Sequence, residues 1–151
     1  SRADFWQDDS GRTGALGSNA LFVIAGDLNS DPHDGDSRRD ALLKLLAHSR
    51  VQSTPIPASK GAIQAARLQG KMNASHIGDP QYDTGDFNDD SVGNLRIDYV
   101  LPSRGFDVVQ VGVVWPERPE TESEVAEILK KLDEASDHHL VWIDIRLNQE
   151  N

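Results

Sequence analysis

The segment ALFVIAGDLN, residues 20–29, decides the fold of this chain. Its unbroken apolar run from Ala20 to Ala25 has the length and β-branched content of a strand that is buried on both faces. The run stops at Gly26 and Asp27, where the glycine permits a sharp turn. A strand that is covered on both faces needs neighbours, and we expect those neighbours to be encoded upstream of Ser1.

The rest of the chain reads as helices and strands in alternation. The pattern predicts helices over residues 38–48, 62–69 and 123–134, and strands over residues 95–101, 106–115 and 139–147. Asp36 or Ser37 is expected to cap the first helix. The apolar stripe of the last helix and two tryptophans are expected to pack in the core or between sheets: Val125, Ile128, Leu129, Leu132, Trp115 and Trp142. This order predicts an α/β layered fold.

Composition excludes several classes of protein. The chain has no cysteine, which rules out disulfides and thiolate metal sites. It has no run of about 20 apolar residues that would cross a membrane as a helix. The formal net charge of −10, from 25 acidic and 15 basic residues, repels phosphate backbones unless a cation or a basic groove intervenes.

Two polar motifs lie at predicted strand ends, where open sheets hold their sites. Asp27 and Asn29 follow the first strand, and their spacing lets a carboxylate and an amide point into one cleft; a simple turn is the other interpretation. Asp98 lies among apolar residues of the next strand, where burial costs free energy unless the carboxylate is paired. It is either a catalytic group or a residue of the wet face, salt-bridged to Arg96 or a neighbour.

A third motif, Ser136-Asp137-His138, comes immediately before the last strand. A loop histidine next to an aspartate has the chemistry of a general acid or base. An exposed histidine at the turn into the strand is the alternative. His139 is expected to face outward.

The three motifs in this order, GDLN, RIDYVL and SDHH, resemble the C-terminal signature of the endonuclease/exonuclease/phosphatase superfamily, which has the DNase I-like fold. The longer segments that contain the three motifs are similar to those of a bacterial branch of that family, whose members are often secreted. The resemblance implies the C-terminal half of a DNase I-like four-layer α/β sandwich, mostly one mixed β-sheet flanked by helices. Residues 1–151 would then be the C-terminal portion of one domain, with the N-terminal half absent from the chain.

The resemblance also implies roles for five residues in the hydrolysis of a phosphoester. Asp27 would orient or deprotonate the attacking water, and Asn29 would hydrogen-bond a phosphate oxygen. His138 would be protonated and clamp the phosphate, with Asp98 as its partner carboxylate. Asp137 would help to ligate Mg²⁺, or Mn²⁺ or Ca²⁺, because these ions prefer oxygen ligands.

Part of the family's catalytic set is missing from the chain. The metal-ligating Glu of the family lies upstream of the GDLN motif, and no Glu precedes Asp27 here. We therefore expect weak metal binding and little hydrolysis from the chain alone, and Mg²⁺-dependent phosphodiesterase or nuclease activity from a full-length parent. Phospholipids or small phosphomonoesters are the alternative substrates. A non-catalytic, metal-stabilised binding or adhesion module is the alternative function. The expected location is extracellular or periplasmic, and a cytoplasmic one is not excluded.

The long loop before the second motif holds two further candidates, His76 and Asp86. Loops at this position shape the substrate cleft in the family, so both are candidate substrate-binding residues; a mobile loop is the alternative. Asp31, Asp34 and Asp36 suggest a Ca²⁺ loop, but the spacing is not that of an EF-hand. A solvated turn that leads into the helix is favoured there.

Overall fold

The computed structural model describes residues 5–119 and 121–147. In chain order its elements are β1 (Val23–Asp27), α1 (Asp40–Leu46), α2 (Lys60–Gln69), β2 (Gly85–Asp86), β3 (Asn94–Leu95), β4 (Asp98–Pro102), β5 (Phe106–Val113), α3 (Glu124–Ala135) and β6 (Val141–Leu147). Two 3-10 turns, Lys71–Ser75 and Pro80–Tyr82, connect α2 to β2. The predicted α/β class is confirmed. No helix in these residues has the length and apolar character that crossing a bilayer requires.

The described strands form three antiparallel pairs: β1 with β4, β2 with β3, and β5 with β6. They do not join into the single mixed sheet that the sequence suggested. In the first pair, Asp27 lies directly opposite Asp98. Residues that face each other across an antiparallel pair project their side chains to the same face, so the pairing register brings two motifs together.

Two apolar clusters hold these elements. Leu42, Val51, Tyr99 and Leu101 form the first cluster, between α1 and the β1–β4 pair. Ala62, Val113 and Trp115 form the second, where α2 packs against the end of β5. Gly61 is required at this contact, because a side chain there would collide with the carbonyl oxygen of Trp115. The prediction that Trp115 lies in the core is confirmed.

The expectation that the first strand is buried on both faces is wrong for the described structure. Val23 is 43% exposed, and Ala25 and Gly26 are exposed as well. Among the described residues β1 pairs with β4 alone, so its second edge carries no strand. A sequence suited to an interior strand therefore lies at an edge.

The apolar stripe of α3 is a second correction. Ser123 accepts a hydrogen bond from the amide of Ala126, so the helix begins within one residue of the predicted start. Val125, Ile128 and Leu132, however, are each at least half exposed. The helical period fixed which residues share a face, but the described fold places no sheet against that face.

The start of α1 also differs from the prediction. The residue before the helix is Arg39, which makes no capping hydrogen bond through its side chain. Ser37 instead lies with its hydroxyl 2.8 Å from that of Ser30. A hydrogen bond across the loop has replaced the expected cap.

The loop after β1 is built around a buried carboxylate and is not the solvated turn that was expected. Asp31 is 5% exposed. One of its oxygens accepts hydrogen bonds from the amides of His33 and Asp34, at 2.6 and 2.7 Å. The other accepts from the amide of Arg96 at 2.7 Å and so ties the loop to the entry of β4. Because these oxygens are occupied by backbone amides, Asp31 organises the chain and is not free to hold calcium.

Candidate active site

A histidine and an aspartate from different motifs meet at the end of β4. Nδ1 of His138 lies 3.2 and 3.1 Å from the two carboxylate oxygens of Asp98. Only a protonated Nδ1 donates to a carboxylate, so this contact directs Nε2 away from Asp98. The side chain of His138 is about one-third exposed, which leaves Nε2 accessible. The edge of Phe87 packs against the imidazole, with ring centroids 5.7 Å apart.

Backbone hydrogen bonds hold the loop that carries this histidine. The amide of Asp86 donates to the carbonyl of Asp137, and the amide of His139 donates to the carbonyl of Thr84, each at 2.7 Å. The amide of His138 donates to the hydroxyl of Ser136 at 3.0 Å. The short segment around β2 therefore docks the loop beside β4, although 40 residues separate Asp98 from His138.

Thr84 positions the carboxylate, and the sequence-based reasoning did not single it out. Its side chain is 1% exposed. Its hydroxyl donates to Asp98 at 2.9 Å and accepts from the amides of Ile97 and Asp98 at 3.1 and 3.0 Å. A lone threonine in a glycine- and aspartate-rich loop carries no sequence signal for this role. The contacts arise because residues 83–86 cross over the start of β4.

We expect Thr84→Val to lower the free energy of unfolding by about 1–3 kcal/mol, because two buried amides and one carboxylate oxygen lose their partner. Urea denaturation measures the change. Thr84→Ser keeps the hydroxyl and should remain close to the unsubstituted protein. If the valine variant matched the serine variant, the hydroxyl would not be holding the start of β4.

Asp27 and Asn29 form a unit of their own on the neighbouring strand. The backbone amide of Asn29 donates to one oxygen of Asp27 at 2.7 Å, and its side-chain amide donates to the other at 2.9 Å. Asn29 adopts a φ of 47°, a left-handed conformation that asparagine tolerates better than most residues. In this arrangement Asn29 orients the Asp27 carboxylate. Its amide nitrogen is engaged there and does not point outward.

The described residues do not by themselves fit a divalent cation. Within residues 5–119 and 121–147, no three His, Asp or Glu side chains gather into a group that would hold a metal ion. Asp137 is largely exposed, and its carboxylate lies 3.9 Å from Nε2 of His138. One aspartate on the rim is too few ligands for Mg²⁺ or Ca²⁺.

The two loop candidates turn away from the histidine–aspartate pair. Nε2 of His76 lies 2.9 Å from the carbonyl oxygen of Val92. The carboxylate of Asp86 accepts a hydrogen bond from Gln69 of α2 at 2.6 Å, and burial raises its pKa. Asp86 thus contributes its backbone to the loop of His138 while its side chain anchors α2. A substrate-binding role for either residue stays a prediction.

The expectation that His139 faces outward is wrong. Its ring stacks on Trp115, with centroids 3.7 Å apart and an interplanar angle of 13°. Burial lowers the pKa of His139, and Asp133 opposes that shift. The two neighbouring histidines therefore make different contacts. His138 faces Asp98 and solvent, whereas His139 packs the start of the final strand against the Trp115 cluster.

A cavity of about 220 Å³ opens beside this site. Asn29 and Phe87 form the side next to the motifs, and Leu95 and Ile97 are among the apolar residues that line it. Asp36 and Ser37 belong to its polar side. Apolar walls with a few polar groups are typical of ligand sites, so this cavity is a candidate ligand pocket beside the motifs.

A buried acid lies next to the positioning threonine. Burial, assisted by Asp31, Asp34 and Asp79, raises the pKa of Asp83 from 3.8 to about 8. Between these two values the folded protein keeps a proton that the unfolded chain releases, so the free energy of unfolding falls as pH rises.

We expect Asp83→Asn to remove this fall in the free energy of unfolding with rising pH, which amounts to as much as about 1.4 kcal/mol per pH unit. Urea midpoints across the window from acidic to mildly alkaline pH measure the difference between variant and unsubstituted protein. Asp144→Asn, an exposed change on β6, is the control and should follow the unsubstituted protein. Parallel pH profiles for Asp83→Asn and the unsubstituted protein would contradict the shift.

The geometry is that of an α/β protein with a carboxylate-held histidine beside a second, oriented aspartate, an arrangement that hydrolytic enzymes use for proton transfer. The model of the endonuclease/exonuclease/phosphatase family matches residues 1–138. The chain belongs to this family, whose members are generally phosphoester hydrolases and typically use divalent metals. No curated protein and no solved structure matches the chain.

Proposed function

We propose that this chain carries the proton-transfer half of a metal-dependent phosphodiesterase or nuclease-like active site. The observation that carries the proposal is the joining of three sequence motifs at one end of the β1–β4 pair. Asp98 fixes Nδ1 of His138, and Asp27 stands opposite Asp98 in the strand register. A phosphodiester needs a donor for its anionic oxygens and an oriented water, and these groups supply that chemistry.

In the proposed reaction, Nε2 of protonated His138 donates to an oxygen of the phosphate while Asp98 stabilises the charged ring. Asp27, held by Asn29, accepts a hydrogen bond from the attacking water and orients it. Phe87 excludes water from one side of the imidazole.

We propose that the remaining ligands of the cation come from a further, N-terminal part of the domain. Two observations support this: the described residues hold no group of three potential metal ligands, and β1 has an interior-type sequence with no strand on its second edge. A strand added at that edge would cover β1 and bring new side chains beside Asp27.

A location of the protein outside the cytoplasm stays a prediction.

The test compares the 151-residue chain with a longer polypeptide that includes the proposed N-terminal half. Both are assayed with millimolar Mg²⁺, and again with EDTA, on bis(p-nitrophenyl) phosphate and on duplex DNA. We expect background hydrolysis from the chain and EDTA-sensitive hydrolysis from the longer protein. Strong hydrolysis by the chain alone would overturn the proposed division of the site. Inactivity of the longer protein on diesters, phospholipids and monoesters would favour a non-catalytic binding module.

A further inference from the structure

Helix α2 buries small residues and exposes large aliphatic ones, the reverse of the usual amphipathic helix. Its inner face consists mainly of small residues, such as Gly61, Ala62 and Ala65, which pack towards the Trp115 cluster. Its larger aliphatic residues point outward: Ile63 is 44% exposed and Leu68 is 68% exposed. Surface helices normally bury such residues and expose polar ones. A helix that exposes them while burying alanine has a second face suited to a partner.

The same face is basic in an acidic protein. The chain has a formal charge of −10, yet no Asp or Glu occurs between residues 41 and 78. Around the axis of α2, Lys60 and Arg67 fall between Ile63 and Leu68 on the outer face. Both cations are exposed. Neither makes an ion pair among the described residues. Their charges are therefore available to an anionic partner.

The outer face of α2 borders an open groove of about 810 Å³. The other wall is the segment Glu117–Pro119, which is fastened to the helix by two hydrogen bonds between Gln64 and the backbone of Arg118, at 2.6 and 3.1 Å. Arg118 itself is ion-paired with Asp133. Among the described residues, Glu117 is the one acid that lines this groove, against Lys60 and Arg67, so its described lining keeps a net positive character.

We propose that the outer face of α2 is a docking surface for an anionic lipid bilayer. Cations flanked by exposed aliphatic side chains are the composition of helices that lie in the plane of a membrane interface. The cations contact lipid phosphates and the aliphatic side chains enter the boundary with the acyl chains. A nucleic acid backbone would use the cations and would gain nothing from Ile63 and Leu68.

This surface is independent of the proposed hydrolysis, so binding is measured with EDTA present. The 151-residue chain is mixed with vesicles of phosphatidylcholine alone or with phosphatidylglycerol, and the bound fraction is measured by flotation. We expect binding to the anionic vesicles and weakening by salt, since each cation near such a surface contributes about fivefold in affinity. The double substitution Lys60→Gln/Arg67→Gln should then lose about 25-fold.

The aliphatic residues are tested by Ile63→Gln/Leu68→Gln, which keeps good helix formers at both positions. We expect a loss of about tenfold for each side chain. Matched controls lie on α3: Lys130→Gln/Lys131→Gln removes the same charge, and Val125→Gln/Ile128→Gln removes comparable exposed aliphatic groups. Both should bind as the unsubstituted chain does, and circular dichroism verifies that all variants fold.

Three results would overturn the proposal. The first is absence of binding to the anionic vesicles. The second is an equal loss for the α2 and α3 variants, which would show a general effect of charge or hydrophobicity. The third is binding to a DNA duplex, without vesicle binding, that depends on Lys60 and Arg67 but not on Ile63 and Leu68. That pattern would assign the face to a nucleic acid.

Discussion

His138→Ala is expected to lower phosphodiester hydrolysis by about 10²–10⁴-fold, the usual contribution of a general acid or base. The physical reason is the contact of Nδ1 with Asp98, which orients the ring so that Nε2 can donate to the phosphate in the proposed reaction. Alanine removes this donor, and the Asp98 carboxylate loses its contact with the imidazole while keeping the hydrogen bond from Thr84. The measurement is kcat/KM in the longer protein of the proposed function, because that is where the site is expected to be complete.

The matched control is a histidine outside the site. His48 is exposed at the end of α1, and His48→Ala should leave kcat/KM unchanged. Asp98→Asn keeps the shape of the side chain but removes the charge that stabilises a protonated imidazole, so its loss should approach that of His138→Ala. Unchanged hydrolysis in His138→Ala would remove the catalytic assignment and favour the binding module.

Asp31→Ala is expected to lower the free energy of unfolding by about 3 kcal/mol or more, because each buried amide left without an acceptor costs about 1–3 kcal/mol. The three amides that donate to this carboxylate, those of His33, Asp34 and Arg96, would lose their acceptor inside the fold. The loop after β1 would also lose its link to the start of β4. Urea denaturation monitored by tryptophan fluorescence measures the change.

Two variants separate the network from the charge. Asp31→Asn keeps one acceptor oxygen and should lose less than Asp31→Ala. Asp36→Ala, an exposed change in the same loop, should stay within about 0.5 kcal/mol of the unsubstituted protein. If Asp36→Ala were as destabilising as Asp31→Ala, the buried network would not be what holds the loop.

Much of the local structure was predictable from the chain. The helical period of α3 predicted residues 123–134, against Glu124–Ala135 in the structure. The three motifs were each found at a strand end, and their order pointed to the family that residues 1–138 match. These features depend on neighbours within a few residues, which is why sequence patterns report them.

The role of Thr84 and the burial of Asp31 were not predictable. Thr84 reaches Asp98 across 14 residues, and Asp31 reaches the amide of Arg96 across 65. Both residue types are common in turns, so their local sequence indicated a turn. The outward orientation of Ile63 and Leu68 was equally hidden, because a helical pattern does not say which face a sheet will cover.

The sequence by itself determined the α/β class, the three motifs and the run of residues in β1 that suits an interior strand. The tertiary structure decided that Asp98 meets His138, that Asp27 stands opposite Asp98, and that β1 has one unpaired edge among the described residues. The physical reason is the range of the forces involved. Propensity, capping and periodicity act over one or two turns of chain, whereas strand register, burial and ion pairing depend on which distant segments the fold brings together.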